Sequence, residues 1–495
     1  MKNIFIRGGM SPFESFPASH ILLKNSIGQN VGNFLYLNGV LRNIVHEDTN
    51  VTPTYYKWRY TDQEIAEIND KYDCFLIPLA DAFRDNFRAE LNGYTNVVKK
   101  SKIPCVVTGV GIRAPLEERF DHAFSFDEDV KNFVNAVLEK SKIIGVRGER
   151  TGAYLKHLGF REEKDYTVIG CPSLYIHGPK LHVRDTTISQ ESFVCYNTTS
   201  STPDNIVSFV ERSAAEFASA QFIPQTIKEL KLLYLGEPFR DGNRPPTRIT
   251  DKIFQSDQTC FFLNIPTWIE FMEKADFNFG ARLHGNVAAM LAGTPSLLFP
   301  KDARVSELAE YHNMTRYPVD QINDQTDIWE LIANADFKSA EKVHYANYTH
   351  FIDFLQENGL DPYRQEPDAV EELPFETRMK GVQLEKPVTS IVHCSMEEVS
   401  DRLDSYYLKK QEAASREKER AKKERERKKE ENDRRKKEYE CLKRESENLR
   451  KENERIKKES ERLKKEKAML EDELNHSFSP RRLVKKVRAV KNKIM

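Results

Sequence analysis

Arg282 and His284, two residues apart, pair a fixed cation with a group that can hold or release a proton near neutral pH. Lys301, Asp302 and Arg304 follow in the same stretch, ADFNFGARLHGNVAAMLAGTPSLLFPKDARVSELAEY over 275–311. Three cations and a histidine at a helix N-terminus and a strand end favour a small anion. Arg147 adds a further cation, with Thr151 one turn beyond it. Two glycine loops complete the set: Gly28, Asn30, Gly32 and Asn33 in IGQNVGN, and Gly109 and Gly111 in TGVGI. Such loops let backbone N–H groups approach a ligand at a helix start. Each feature also has a plainer reading. Arg282 and His284 could form a surface turn paired with Asp276 or Glu307, and the glycine loops could be tight turns with no ligand. No metal-ligand cluster is visible, and the proton and anion chemistry needs none.

The elements that would carry these residues alternate between strand and helix. Strands are expected at Ile4–Ile6, Tyr72–Leu79, Ile103–Thr108, Ile143–Val146 and Thr167–Leu174, several running straight into glycine or arginine. The second half repeats the pattern at Phe193–Asn197 and Ser296–Pro300, with further elements at 222–225, 231–235 and 260–263. Helices are expected over 131–141, 153–158, 267–274 and 286–292, the last stopped by Gly293-Thr294-Pro295. Strand-to-glycine junctions between helices predict an α/β fold with doubly wound parallel sheets. In such sheets ligands bind at the carboxyl ends of the strands, where Arg147, Arg282, His284 and Arg304 would lie. A chain of 495 residues exceeds one core. The expected organisation is a first domain over 1–180, a link near 175–192 and a second domain over 190–335. A closing helix and irregular segment would follow over 336–408, with Tyr345, Tyr348, Phe351 and Phe354 packing across the domains.

The motif R-L-H-G-N-x-A-A, then A-G-T-P, then D-x-R-x-x-E-L-A-E resembles the C-terminal signature of the polysaccharide pyruvyl transferases. Arg147 to Thr151 is similar to that family's R-(D/E)-x-x-(S/T), with Gly148 displacing the acid to Glu149. The 28–33 loop is similar to its G-N-x-G-D loop, with Asn33 in place of Asp. The resemblance covers residues 1–335. It implies two Rossmann-like domains of GT-B type with a site in the cleft between them. It implies transfer of an enolpyruvyl unit from phosphoenolpyruvate to a pair of sugar hydroxyls, leaving a pyruvate ketal, and no cofactor. His284 would be the general acid. Arg147 and Arg282 would act with it, and Arg304, where the family usually has lysine, and Lys301 would hold the donor. The loop residues Gly28, Asn30, Gly32, Asn33, Gly109 and Gly111, with Thr151, would complete donor binding. The acceptor would be a saccharide of exopolysaccharide or cell-envelope synthesis, free or lipid-linked. Two other readings stand beside this one: a nucleotide-sugar glycosyltransferase of the same fold, and an inactive scaffold whose useful part is its C-terminal helix.

Charge divides the chain. Residues 411–495 hold 31 Lys/Arg against 20 Asp/Glu, while 1–410 hold 45 against 57. An acidic body with a basic end points to an anionic surface as partner of that end. Over 409–476, Leu442, Leu449, Ile456, Leu463 and Leu470 recur every seven residues. That spacing predicts a coiled coil and a homodimer, weakened by a second seam of Ser446, Asn453, Ser460 and Lys467. A solvated single helix held by i,i+4 charge pairs is the alternative for 410–438. Residues 477–495 carry seven Lys/Arg and set Leu483, Val487, Val490 and Ile494 on one helical face, as expected of a helix lying on an anionic membrane surface. Nucleic acid is not an expected partner, since no stacking aromatics accompany those charges. The seven scattered cysteines, the short N-terminal apolar run and the lack of a membrane-length segment predict a cytoplasmic protein, peripheral at the inner membrane face.

Overall fold

Cys74–Pro78, CFLIP, is apolar throughout and buried throughout, as befits a strand covered on both faces. It is β3 of a parallel sheet in the order β2-β1-β3-β4, where β1 is Asn3–Ile6, β2 Asn50–Pro53 and β4 Cys105–Thr108. The sheet continues through Val110, which bonds to Gly145 and Arg147, into β5 (Ile144–Val146) and β6 (Tyr166–Val168). A second parallel sheet has the order β11-β10-β7-β8, with β7 Phe193–Asn197, β8 Ser219–Phe222, β10 Phe277–Gly280 and β11 Ser296–Leu298. β9 (Cys260–Phe261), between β8 and β10 in the chain, pairs antiparallel with β12 (Val388–Thr389), which follows β11. The structure is a computed structural model that describes residues 2–115, 118–120, 122–199, 201–239, 247–369, 371–477 and 480–492, with the backbone alone at 477, 480, 482, 483, 486, 487 and 490.

In each sheet the strand order reverses once, between β1 and β3 in the first and between β7 and β10 in the second. A ligand crevice opens at such a reversal because neighbouring connections leave to opposite faces. The protein is therefore α/β with two separate parallel sheets, both within one compact unit, Met1–Leu408. Lys409–Met495 forms the other unit.

Several boundaries differ from expectation for local reasons. The helix expected over 286–292 runs Leu283–Leu291, which places His284 in its first turn. The one expected over 267–274 is Ile265–Met272, because Asn264 caps it by accepting a hydrogen bond from the Thr267 N–H. Residues 231–235 lie in a helix, Ile227–Leu235, started by the capping box of Thr226 and Glu229. The closing helix is Glu341–Glu357; Tyr348, Phe351 and Phe354 are buried in it, but Tyr345 is exposed and its hydroxyl donates to Glu366.

The C-terminal helix spans Met396–Ser477 and is followed by Pro480–Lys491. Ion pairs at i,i+4 spacing (Glu412–Arg416, Glu419–Lys423, Glu424–Lys428, Glu431–Arg435) line its 410–438 stretch. Each is solvent-exposed and screened, so they support the helix without fixing a partner. Leu442, Leu449, Ile456, Leu463 and Leu470 are all about 60% exposed on this helix. The apolar face expected in the tail falls on side chains outside the described residues: Leu483, Val487 and Val490 have a described backbone only, and Ile494 lies beyond. No helix among the described residues is long and apolar enough to cross a membrane.

Candidate functional site

The reversal point of the first sheet is lined by Arg7 and Gly8 after β1 and by Pro78, Leu79 and Ala80 after β3. Asn33, Tyr36, Tyr56, Arg147 and His284 close the same small cavity. So the glycine loop, the turn after β5 and the R-L-H-G motif, far apart in the chain, each contribute to one space.

His284 reaches it from the helix Leu283–Leu291. Its neighbour Asn286 anchors that helix to both strands of the motif: its amide accepts from Asn278 on β10 (3.1 Å) and Ser296 on β11 (2.8 Å) and donates to the Arg282 carbonyl (2.7 Å). The imidazole lies against the start of the helix Gly32–Leu41. A side chain at Gly32 would begin 2.2 Å from His284 Nδ1, so this approach requires glycine. His284 Nε2 is buried and has no hydrogen-bond partner. Burial, with Arg147 and Arg304 nearby, drives the His284 pKa down to about 3, so the ring is neutral at pH 7.

Arg147 is 3% exposed, its Nε has no hydrogen-bond partner, and it forms no ion pair among the described residues. A buried guanidinium without a carboxylate partner is costly unless an anion joins it. Arg7 is better satisfied. It donates to Tyr94 Oη (3.0 Å) and the Pro78 carbonyl (2.9 Å) and lies over the Tyr56 ring. Sequence reasoning passed over Arg7, although it follows β1 as directly as Arg147 follows β5.

The remaining cations are placed differently from one another. Arg304 donates to Asp81 Oδ2 (3.0 Å), which also pairs with Arg84 (2.8 Å) and Arg113. Burial alone would raise Asp81, but Arg304, Arg84 and Arg113 hold it below the usual carboxylate range. Lys301 donates to Thr199 Oγ1 (2.7 Å) and Ser201 Oγ (2.6 Å) after β7. Burial, with Arg304, Arg282 and Arg113 nearby, brings Lys301 down to about 8 against the pull of Asp302. Arg282 is buried and committed elsewhere. Its Nη2 pairs with Glu229 Oε1 (2.6 Å), and its Nε donates to the Thr198 carbonyl. Neither Asp276 nor Glu307, the partners suggested by proximity in sequence, takes it. Only Arg282 Nη1 is left without a partner.

The glycine loop is tied down from within and from the second half. Gly28 has φ +57°, and Asn30 Oδ1 accepts from the Gly32 N–H (2.8 Å). Asn33 Nδ2 donates to the carbonyls of Ile27 (3.0 Å) and Gly28 (2.9 Å). A carboxylate could not make those two bonds, so the Asn that departs from the family's pattern is a loop-closing donor here. Across from it, the Val31 N–H donates to the Gln225 carbonyl (2.9 Å) and the Ile227 N–H to the Gln29 carbonyl (3.0 Å). The second loop packs tightly too: Gly109 has φ +54° over the Tyr36 hydroxyl, and Gly111 lies against Arg147. Thr151 is fully buried. Its hydroxyl accepts from the Ile112 N–H (3.2 Å) and donates to the Glu307 carboxylate (3.0 Å).

Asn33, Arg147 and His284 therefore meet at one cavity, with Gly32 packed against the His284 ring. Arg304, Gly111 and Thr151 border its neighbours, while Arg282 and Lys301 are held by protein partners at the second reversal point. This arrangement can hold a small anion against Arg147 beside an imidazole whose Nε2 is unbonded.

A sequence profile described as polysaccharide pyruvyl transferase matches residues 30–302. No curated protein matches the sequence. Among solved structures, the chain is similar to UDP-GlcNAc 2-epimerase of Methanocaldococcus jannaschii (13% identity, 72% of this chain and 99% of that one, TM-score 0.41). It is also similar to UDP-GlcNAc 2-epimerase of Neisseria meningitidis (12%, 72% and 100%, TM-score 0.35) and to the T4 phage protein BGT (13%, 78% and 100%, TM-score 0.31).

Proposed function

This chain belongs to the polysaccharide pyruvyl transferase family and is a transferase, and from that premise we propose that it moves an enolpyruvyl unit from phosphoenolpyruvate onto two hydroxyls of a saccharide. The observation that carries the reading is the buried Arg147, without an ion-pair partner among the described residues, lining the same cavity as His284. A donor bearing a phosphate and a carboxylate supplies the missing negative charge. The two sheets act as two lobes of GT-B type that grip the donor at facing reversal points, with Arg304–Asp81 bridging them.

The neutral His284 of the free protein gains its proton when the donor's negative charge offsets Arg147 and Arg304. It then gives that proton to the donor's methylene carbon, and the cationic carbon left behind takes a sugar hydroxyl oxygen. The hydroxyl proton returns to His284. Phosphate leaves with its bridging oxygen as the second hydroxyl closes the ketal, and that hydroxyl's proton leaves with the phosphate. Arg147 stabilises the departing charge. Phosphate release from phosphoenolpyruvate in the presence of mixed polysaccharide acceptors tests the reading. Release that depends on acceptor, with none from nucleotide sugars, is the expected result; turnover of nucleotide sugars instead would replace it with a glycosyltransferase.

The C-terminal unit brings the enzyme to its acceptor. Its exposed seven-residue seam pairs two copies, and the basic tail rests on an anionic, cytoplasmic-side membrane surface where lipid-linked sugars stand. Seven cations each contribute about 1 kcal/mol near such a surface. Full-length protein is expected to float with anionic vesicles and not with neutral ones, and a chain ending at Asn475 is expected not to float with either. Equal flotation of the two proteins would leave the tail without this role.

A further inference from the structure

Glu307 brings an acidic side chain to Arg147's surroundings from the second half of the chain. It lies on the helix Ala303–Tyr311, one turn after Arg304, and is 3% exposed. Its Oε1 accepts from Thr151 Oγ1 (3.0 Å); its Oε2 accepts from the Thr151 N–H (3.1 Å) and Oγ1 (3.1 Å). A side chain at Gly111 would begin 3.2 Å from Arg147 Cδ and 3.5 Å from Glu307 Oε1, so the carboxyl and the Arg147 side chain flank one point of backbone. A side chain at Gly148 would begin 2.9 Å from Glu307 Oε2. Gly148 is the position at which the family pattern has an acid, and here the space beside it is filled by a carboxyl from a residue 156 positions after Thr151.

We propose that Glu307 is a proton-linked positioning residue for the donor: it takes up a proton from solvent when a dianion binds at Arg147, and so admits the anion without a competing carboxylate. This rests on the donor site described above and adds to it the coupling of anion binding to one carboxyl. The geometry supplies a place for the proton. Oε1 has a single hydrogen bond, so it can carry the proton while Oε2 keeps both bonds from Thr151. The charged groups facing the carboxyl are Arg147 from the turn after β5 and Arg150 from the helix Glu149–His157; on its own helix Arg304 is already paired with Asp81 and Asp302. Burial raises Glu307 to about 7, with Arg147 and the Thr151 hydrogen bonds holding it back, so the group is poised for this exchange. Its folded-state value lies above its unfolded one, so the protonated form is favoured below about pH 7, and anion affinity should fall as pH rises above that.

The probe is sulfate, which does not itself titrate near neutrality, alongside phosphoenolpyruvate, both with the full chain. From about pH 7 to about pH 9, sulfate affinity for the wild type is expected to fall up to tenfold per pH unit, with uptake of up to one proton measured in buffers of different ionisation enthalpy. Glu307→Gln is expected to show a clearly shallower fall in sulfate affinity over that range than the wild type, because the carboxyl's share of the proton uptake is gone. Lys301 and His284 also gain or hold charge when an anion binds, so a second measurement isolates the carboxyl. Infrared difference spectra of the wild type should show a protonated carboxyl C=O band on sulfate addition. Absence of that band, or the same pH slope in Glu307→Gln, overturns the proposal. Phosphoenolpyruvate binding without either signal keeps the donor reading and removes the coupling; both signals with sulfate but no phosphoenolpyruvate binding do the reverse.

Discussion

Replacing His284 by alanine is expected to lower turnover by on the order of a hundredfold or more while phosphoenolpyruvate binding stays within about threefold of wild type. The separation of the two effects follows from the site. In the free protein the imidazole is neutral and its Nε2 bonds to nothing, so it contributes little to holding an anion. Its contribution comes once the donor is bound and a proton must reach carbon. The pH dependence has a fixed sign: the acid must be protonated in the complex, so kcat should fall as pH rises through the bound-state pKa of His284. The measurement is phosphate release with an acceptor shown to be pyruvylated. Near wild-type turnover in His284→Ala would remove this residue from the proton transfer and leave it as packing against Gly32.

Replacing Arg282 by alanine is expected to cost about 3–5 kcal/mol of stability, a larger effect than any it has on the donor. The sequence motif alone places Arg282 beside His284 as a ligand group, and an effect on donor binding is what that motif implies. In the structure its Nη2 and Nε are spent on Glu229 and the Thr198 carbonyl, and both partners are buried. Removing it strands the Glu229 carboxylate, which also holds the Gln225 and Thr226 N–H groups at the start of the helix Ile227–Leu235. That segment is in turn bonded to the glycine loop through Gln225 and Ile227. The loss should therefore spread to the cavity by way of the loop. Urea unfolding followed by tryptophan fluorescence reads the right part of the chain, because Trp58, Trp268 and Trp329 all lie within Met1–Leu408. Adding Glu229→Gln to Arg282→Ala should recover part of the stability, since the stranded charge is gone. Unchanged stability with a much weaker donor affinity would instead make Arg282 a ligand group.

Much of this was legible in the residues. Strands that run directly into glycine or arginine, set between amphipathic helices, specify parallel α/β sheets because only that topology buries such strands on both faces. The R-L-H-G motif and the IGQNVGN loop are local, so their place at strand and helix ends could be read without a fold. So could the heptad spacing of the C-terminal helix and the charge pairs before it. Thr226 and Glu229 carry the spacing of a capping box, a local signal for a helix start that says nothing of Arg282 as the partner of Glu229.

What the tertiary structure decided was pairing. Arg282 with Glu229 spans 53 residues, Thr151 with Glu307 spans 156, and Asp81 with Arg304 spans 223. No local pattern encodes such choices. They follow from strand order, which brings the ends of β1, β3 and β5 toward those of β7, β10 and β11, and from burial, which forces each enclosed charge to find whichever opposite charge the sheets present. The same physics left Arg147 without an ion pair among the described residues and His284 neutral. The sequence by itself determined which residues this protein could use on an anion; the packing of its two sheets decided which of them were already occupied.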